Sequence, residues 1–301
     1  MEFVPQITSM AQVELVIWDV QHGNALYIKT PNGRHIVIDL GVGSYKRHGE
    51  GFSPLMHLRV KYKIEQIDYL LVTHPHKDHI DDMLNFKNLK PKVFKRPYQI
   101  TRGDIMDGVL EKDIPIFKEY FDQCDTYNNP LSEDHDCYPN NPNNWGGLKI
   151  DFFDTPNLPK NNLNNHSVIT VLSYLGMKIV LPGDNEVASL QELMKNEEFK
   201  RCIKDADVLL APHHGRESAF SPDFVKHVNP RLVAVSDGSY CDTSAIDRYR
   251  PYCRAWQVHK AGEKTERKTL STYNDGVIVI HFGNDNQNNY LYVKTITTEA
   301  K

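Results

Sequence analysis

The chain has 301 residues, and its shares of hydrophobic residues, 40%, and charged residues, 25%, are those of a folded globular protein. The net charge of −4 argues against a protein that coats nucleic acid non-specifically, although a local basic groove is compatible with it. No apolar run approaches the ~20 residues of a membrane span, and residues 1–5 lack the basic start of a signal peptide.

Strand-like apolar runs recur along nearly the whole chain, which predicts one domain over residues 1–301. The 5 cysteines are widely separated and show no metal-binding or redox spacing. Their odd number predicts reduced thiols, and we expect a cytoplasmic protein without membrane contact.

The first half of the chain alternates predicted strands and helices. Strands are expected at residues 13–20, 24–28, 35–40 and 67–72, and helices at 54–63 and 81–87. Residues 98–147 contain two Asn/Pro-rich stretches and one predicted helix at 114–125. We interpret 98–147 as a loop-rich insertion that could form part of a substrate wall.

The second half continues the alternation. Strands are predicted at residues 148–153, 168–175, 177–181, 208–211, 232–236, 276–282 and 291–296, and helical patterns at 186–203 and 222–228. This order predicts an α/β protein with two sheets sandwiched between outer helices.

The most informative stretch follows the predicted strand 67–72 and reads His74-Pro75-His76-Lys77-Asp78-His79. Neutral imidazoles and a carboxylate are ligands that zinc and related divalent cations favour. A strand ending at Thr73 would present them as a loop at its C-terminal edge. His74 and His76 could then face one cation, and Asp78 and His79 a second one.

This HxHxDH pattern resembles the signature of the metallo-β-lactamase superfamily. Four more segments resemble that family, namely residues 13–25, 36–41, 179–184 and 207–215. The resemblance implies a four-layer αββα sandwich of two mixed β-sheets flanked by helices. Three motifs are similar to those in the soluble domain of competence-type DNA-uptake proteins, namely Asp-Val-x-x-Gly-Asn, Leu-Pro-Gly-Asp and Pro-His-His-Gly.

The resemblance also implies a hydrolase with two divalent cations, zinc first and manganese or iron as alternatives. His74 and His76 would hold one cation, and Asp78 and His79 the other. Asp184 would bridge both. The resemblance leaves the roles of three further histidines open, namely His166, His213 and His214.

His213 is favoured over His214 as a ligand of the second cation, because it comes first after the strand 208–211. His214 would then contact the substrate or donate a proton, and Asp78 could also handle the proton. His166 is an alternative third ligand of the first cation. Competence-type relatives resemble this segment as Asn-Asn-x-Ser, where x is often not histidine.

Several other residues are expected near the site. His22 lies in a turn close to the metals, and Asp39 resembles an aspartate that supports the metal loop. A structural role is favoured for each of four residues that could wall the cleft, namely Tyr240, Ser244, Tyr249 and Thr272.

The expected reaction is attack by a hydroxide, held between two cations, on a phosphodiester. A basic segment with interleaved rings, Lys87 to Arg102, could follow a nucleic-acid strand, and a solvated charged face is the alternative. A carbonyl hydrolase acting on a lactone or thioester is a second hypothesis. A regulatory protein with a vestigial metal site is a third.

Overall fold

The computed structural model describes residues 11–43, 52–238, 244–285 and 288–297. Within these ranges the larger sheet has the strand order β12-β11-β15-β14-β1-β2-β3-β4-β5. Its strands are β1 (Gln12–Ile17), β2 (Leu26–Lys29), β3 (His35–Ile38), β4 (Ile67–Leu71), β5 (Pro91–Lys95), β11 (Trp256–Lys260), β12 (Glu263–Arg267), β14 (Val277–Asn284) and β15 (Asn289–Ile296).

The smaller sheet has the order β13-β10-β9-β8-β7-β6 among the described residues. Its strands are β6 (Lys149–Phe153), β7 (Ile169–Tyr174), β8 (Met177–Leu181), β9 (Val208–Leu210), β10 (Leu232–Val235) and β13 (Thr269–Ser271). Both sheets are mixed, because β3, β4 and β5 are parallel in the first, and β8, β9, β10 and β13 in the second.

Helices cover the outer faces of the two sheets. They are α1 (Pro54–Val60), α2 (Lys77–Ile80), α3 (Arg102–Met106), α4 (Ile114–Thr126), α5 (Val187–Leu193), α6 (Glu197–Ile203), α7 (Pro222–Val228), α8 (Ile246–Tyr249) and α9 (Thr272–Asp275). In the part of the chain that is described, none of them is long and apolar enough to cross a bilayer.

Three apolar layers hold the architecture together. Strand β1 shows why, since Leu15 and Ile17 face the core between the sheets whereas Val16 faces the core under the helices. On the far side, Phe199 and Phe224 stack within the core that the smaller sheet shares with its own helices. Two sheets with helices on both outer faces confirm the predicted four-layer αββα fold.

Several predicted elements differ from those observed. The helical pattern at 186–203 is two helices, because Asn196 accepts hydrogen bonds from the backbone N–H groups of Glu198 and Phe199 and starts α6. Strand β5 and the β11–β12 hairpin were not predicted. Within 98–147, the predicted helix is confirmed as α4, and Ile105 of α3 and Phe117 of α4 pack into the core under the larger sheet.

Two glycines let the loop after β4 approach its neighbours. A Cβ on Gly41 would lie 2.6 Å from the backbone oxygen of Asp78, and one on Gly23 would lie 2.8 Å from the same atom. That oxygen accepts the backbone N–H of Asn24 at 3.2 Å. Because Gly23 and Gly41 have no side chain, their backbones can contact the loop that contains Asp78.

Candidate metal centre

The candidate centre lies where both sheets present the carboxyl ends of parallel strands. The loop 72–78 follows β4 in the larger sheet, and Pro182 to Asp184 follow β8 in the smaller one. Val168, just before β7 of the smaller sheet, donates its backbone N–H to the Thr73 carbonyl at 3.0 Å and so joins the two sheets. His213, after β9, donates its backbone N–H to the Gly183 carbonyl at 3.1 Å and joins the segments after β8 and β9. The edge between the sheets is therefore where distant polar residues meet.

Four of the predicted residues form one compact group, which we call the His/Asp group: Asp78, His79, Asp184 and His214. Asp184 Oδ2 lies 3.3 Å from His79 Nε2 and 3.3 Å from His214 Nε2. Asp78 Oδ2 lies 3.2 Å from His214 Nε2 and 3.7 Å from His79 Nε2. Two carboxylates and two imidazoles thus converge on one small volume.

The imidazoles of the group are held from behind. Asp39 Oδ2 lies 2.8 Å from His79 Nδ1, and the Ser236 carbonyl lies 3.0 Å from His214 Nδ1. Each ring therefore turns Nε2 toward the carboxylates. His79 Nε2 is buried and makes no hydrogen bond of normal geometry. This arrangement suits metal-binding histidines, whose second nitrogen usually meets a carboxylate or carbonyl.

Asp39 supports the loop as predicted. It is fully buried and accepts hydrogen bonds from Asn24 Nδ2, from the Thr73 backbone N–H and from the Thr73 hydroxyl. With His79, these contacts saturate the carboxylate. Asp39 adopts a left-handed backbone conformation at φ 62°, which is uncommon for a residue with a side chain.

A second pair of histidines lies beside the group. His74 Nε2 and His76 Nδ1 are 2.9 Å apart, and His74 Nε2 is 4.0 Å from Asp184 Oδ2. His74 is fully buried. Asp184 Oδ2 is thus approached by Nε2 of His74 as well as by Nε2 of His79 and of His214, so one carboxylate oxygen links the second pair to the group.

The electrostatics of the group favour added positive charge. Burial opposes ionisation of Asp78 and Asp184, yet the adjacent histidines hold the pKa of each carboxyl well below its ordinary value. Burial also opposes charge on His214, but Asp184 and Asp78 raise its pKa to about 10. A group that draws protons onto its own imidazoles suits divalent cations, which take the place of those protons.

His213 and His214 occupy different places. His213 Nε2 is 3.8 Å from Asp184 Oδ2, and its Nδ1 is 3.0 Å from Glu186 Oε1, whereas His214 belongs to the His/Asp group. Both residues have positive φ, 47° and 53°. The geometry therefore favours His214 as the ligand, the opposite of the sequence preference, and which of the two binds metal stays a prediction.

His166 is turned away from the group. Its Nε2 lies 3.3 Å from the Pro159 carbonyl, and among the described residues it is outside the set of converging ligand atoms. The neighbouring Asn164 is the residue that meets the His76 ring. The role of His166 as an alternative ligand stays a prediction that this placement does not favour.

The remaining expected residues fall into two kinds. His22 lies close to the group, with Nε2 3.5 Å from Asp78 Oδ2 and its ring 4.8 Å from the ring of His214. Thr272 instead exchanges hydrogen bonds with the Asp237 backbone, and Tyr249 packs against Phe220. Ser244 accepts the backbone N–H of Ile246, and Tyr240 lies outside the described residues.

One residue of the site had no sequence signal. Glu186 accepts hydrogen bonds from Asn162 Nδ2 at 2.8 Å and from Asn164 Nδ2 at 3.3 Å, and it lies 3.0 Å from His213 Nδ1. Glu186 comes two residues after Asp184, at the start of α5, where an acidic residue is ordinary. Only the folded structure shows that it connects two loops of the site.

A cleft of about 730 Å³ opens beside His76. Its walls come from Gly103 to Asp107, within the predicted insertion, and from Lys160 to Leu163. Lys160 Nζ lies 3.6 Å from Asp104 Oδ2. The insertion thus contributes one wall of the cleft next to the candidate centre.

The basic segment 87–102 is largely engaged with its own chain. Lys92 Nζ lies 2.8 Å from Asp68 Oδ1, and the Arg96 guanidinium donates to the carbonyls of Cys124 and Tyr127. Phe94 is buried. Lys92, Lys95 and Tyr98 line a separate cleft of about 850 Å³, whose lining includes no residue of the His/Asp group. Much of the segment therefore stabilises the fold.

We expect Arg96→Ala to lower the free energy of unfolding by about 1.5–3 kcal/mol, because its charged hydrogen bonds hold the last turn of α4. Urea denaturation measures this. Lys87→Ala, at an exposed position, should change stability by less than about 0.5 kcal/mol. If Arg96→Ala left the stability unchanged and weakened binding to nucleic acid, segment 87–102 would be a nucleic-acid-binding surface.

A second cluster of potential ligands, His135, Asp136 and Cys137, does not suit a cation. The Arg34 guanidinium donates to Asp136 Oδ2 and to Cys137 Sγ. Burial, with the added effect of Asp136, raises the pKa of the Cys137 thiol to about 12. A cysteine binds metal as the thiolate, which the raised pKa disfavours here. Asp136 and Cys137 are therefore better explained as partners of the Arg34 guanidinium than as ligands of a cation.

The chain is similar to several known proteins. ComE operon protein 3 of Bacillus subtilis (strain 168) is 25% identical over 250 residues, which are 78% of this chain and 29% of that protein. The chain thus spans under a third of the length of this curated relative. Among solved structures, the diiron β-hydroxylase CmlA of Streptomyces venezuelae has 13% identity and a TM-score of 0.43, covering 82% of this chain and 50% of CmlA.

A diphosphatase of the PhnP family is similar at 12% identity with a TM-score of 0.40, covering 88% of this chain and 96% of that one. Likeness at this level concerns the fold alone. The profile of the metallo-β-lactamase superfamily matches residues 18–226, which include the loop after β4, Asp184 and both histidines after β9. The chain therefore belongs to the metallo-β-lactamase superfamily.

Proposed function

We propose that this chain is a metal-dependent phosphodiesterase or nuclease. The observation that carries the proposal is the His/Asp group beside a cleft that contains Lys160. A phosphodiester is an anion, so cations at the group would attract it, and it would replace Asp104 as the partner of the Lys160 ammonium. The resemblance of the motifs to those of competence-type DNA-uptake proteins supports the same class.

The residues of the centre have distinct proposed roles. His74 and His76 would hold one cation, Asp78, His79 and His214 the other, and Asp184 would face both. Such cations lower the pKa of bound water and neutralise charge in the transition state. Asp78, whose side chain is 22% exposed and whose Oδ2 lies 3.5 Å from His22 Nε2, or a nearby histidine would handle the proton of the reaction.

Two other hypotheses make different demands on the cleft. A hydrolase of lactones or thioesters acts on a neutral group, so it has no need of Lys160. A regulatory protein with a vestigial site has no need of converging ligands, whereas here four of them lie within 4.8 Å of one another. Zinc, manganese and iron stay open as the bound metal.

We expect the protein to hydrolyse bis-p-nitrophenyl phosphate and nucleic acid in preference to a lactone. The assay compares the diester, single- and double-stranded DNA, RNA and a lactone, each with zinc or manganese. Lys160→Gln should raise KM for the charged diester without changing lactone hydrolysis. Cleavage of the lactone but of no phosphodiester under either metal would overturn the substrate class and leave the metal centre in place.

A further inference from the structure

We propose that the side-chain oxygen of Asn164, and not a nitrogen of His166, is the ligand that joins His74, His76 and the shared Asp184 at the first cation. We further propose that Glu186 is a positioning residue, which sets the orientation of the Asn164 amide. The inference rests on the proposed function only in requiring a divalent cation at this centre.

The Asn164 amide is placed for this role. The residue is 8% exposed, and Oδ1 is buried without a hydrogen bond of normal geometry. A buried polar atom without a partner is costly, so such atoms in native proteins usually meet water, an ion or a ligand. The amide borders the imidazole of His76, whose Nδ1 lies 2.9 Å from His74 Nε2.

Glu186 determines which end of the amide faces the histidines. Its Oε1 accepts a hydrogen bond from Asn164 Nδ2 at 3.3 Å. A carboxylate only accepts, so the NH₂ group must point to Glu186 and the oxygen must point elsewhere. Glu186 is itself held by Asn162 Nδ2 at 2.8 Å and by Ser218 Oγ at 3.2 Å. The orientation of the amide is therefore set by a supported carboxylate.

His166 follows two residues later but points in a different direction. Residues Leu163–His166 form a 3₁₀ turn, in which side chains two positions apart diverge by about 120°. The His166 ring is accordingly directed to the Pro159 carbonyl, 3.3 Å from Nε2. His166 Nδ1 is also buried without a hydrogen bond. The ring nevertheless contacts the Pro159 carbonyl and not the His74–His76 pair.

A consequence for metal binding follows from the ligand types. Two imidazoles and a neutral amide oxygen bind zinc less strongly than three imidazoles would, and the oxygen makes the site more tolerant of manganese. The side containing Asp78, His79 and His214 keeps an anionic ligand of its own besides Asp184. The two cations should therefore bind with unequal affinity, the weaker one at His74 and His76.

The test is a titration of metal-free protein with Co²⁺ or Zn²⁺, followed by calorimetry, visible absorption of Co²⁺ and elemental analysis. Wild type should take up two equivalents, one tight and one weak. Asn164→Ala should raise the dissociation constant of the weak equivalent by at least about 10-fold and leave that of the tight equivalent unchanged. Asn164→His should lower the dissociation constant of the weak equivalent. His166→Gln, whose amide can still donate to Pro159, should match wild type.

Glu186→Gln should weaken the second equivalent less than Asn164→Ala does, since the oxygen remains but loses its fixed orientation. Circular dichroism checks folding, and Asn164→His decides the question if Asn164→Ala is unfolded. Loss of the second equivalent in His166→Gln but not in Asn164→Ala would overturn the inference, as would equal weakening of both equivalents. A wild type that binds no cation would overturn the proposed function as well.

Discussion

We expect Asp184→Asn to lower the turnover of a phosphodiester by more than about 100-fold, beyond the 10–100-fold effect typical of residues behind the ligands. Asp184 Oδ2 lies 3.3 Å from both His79 Nε2 and His214 Nε2 and 4.0 Å from His74 Nε2. The amide has nearly the same size but no charge, so it cannot offset two cations. Rates with bis-p-nitrophenyl phosphate and the metal content by elemental analysis measure the effect.

Asp207→Asn is the matched control for this variant. Asp207 is also a buried carboxylate of the smaller sheet, but it accepts the Lys178 backbone N–H and pairs with Arg231 instead of facing the centre. That variant should lose stability and keep its metal and its turnover per folded molecule. An active Asp184→Asn protein with full metal content would mean that Asp184 only caps the segment before α5.

The second large effect concerns the adjacent histidines after β9. His214→Ala should reduce metal occupancy more than His213→Ala does, because His214 Nε2 is 3.2 Å and 3.3 Å from two carboxylate oxygens. His213 Nε2 approaches only Asp184, at 3.8 Å, and its other nitrogen is engaged by Glu186. Elemental analysis after desalting, together with Co²⁺ absorption, measures occupancy in both variants.

His227→Ala provides a control for the loss of an imidazole, since His227 lies in α7 and its Nε2 is 2.9 Å from the Lys200 carbonyl instead of facing the His/Asp group. It should keep wild-type metal content. If His213→Ala lost more metal than His214→Ala, the preference drawn from the sequence would be restored and the geometry of this turn would have to change on metal binding.

Local sequence was sufficient for the fold class and for naming the residues that converge in the His/Asp group. Strand β1 shows the alternation that separates two cores, and the loop 74–79 concentrates three imidazoles and a carboxylate in six positions. Asp39 and Asp184 could be found in the same way, because each ends a recognisable strand motif. In all these cases the signal lies within a few consecutive residues.

Elements at the edges of the sheets were harder to predict. Strand β5 reads as a charged, aromatic segment, and its lysines and arginine suggested a nucleic-acid surface. In the structure Lys92 pairs with Asp68 and Arg96 holds the end of α4. A sequence displays charge but not the partner that neutralises it, and both partners here lie more than twenty positions away.

The sequence by itself determined the superfamily, the four-layer architecture and the residues from which a metal centre could be built. Only the tertiary structure decided where the side chains of His214, Asn164 and Glu186 lie. His213 and His214 both adopt left-handed backbone conformations, so the alternation of a strand no longer tells which ring faces inward. Glu186 meets Asn164 across a gap of 22 positions, and such contacts depend on how two loops pack, which no local pattern records.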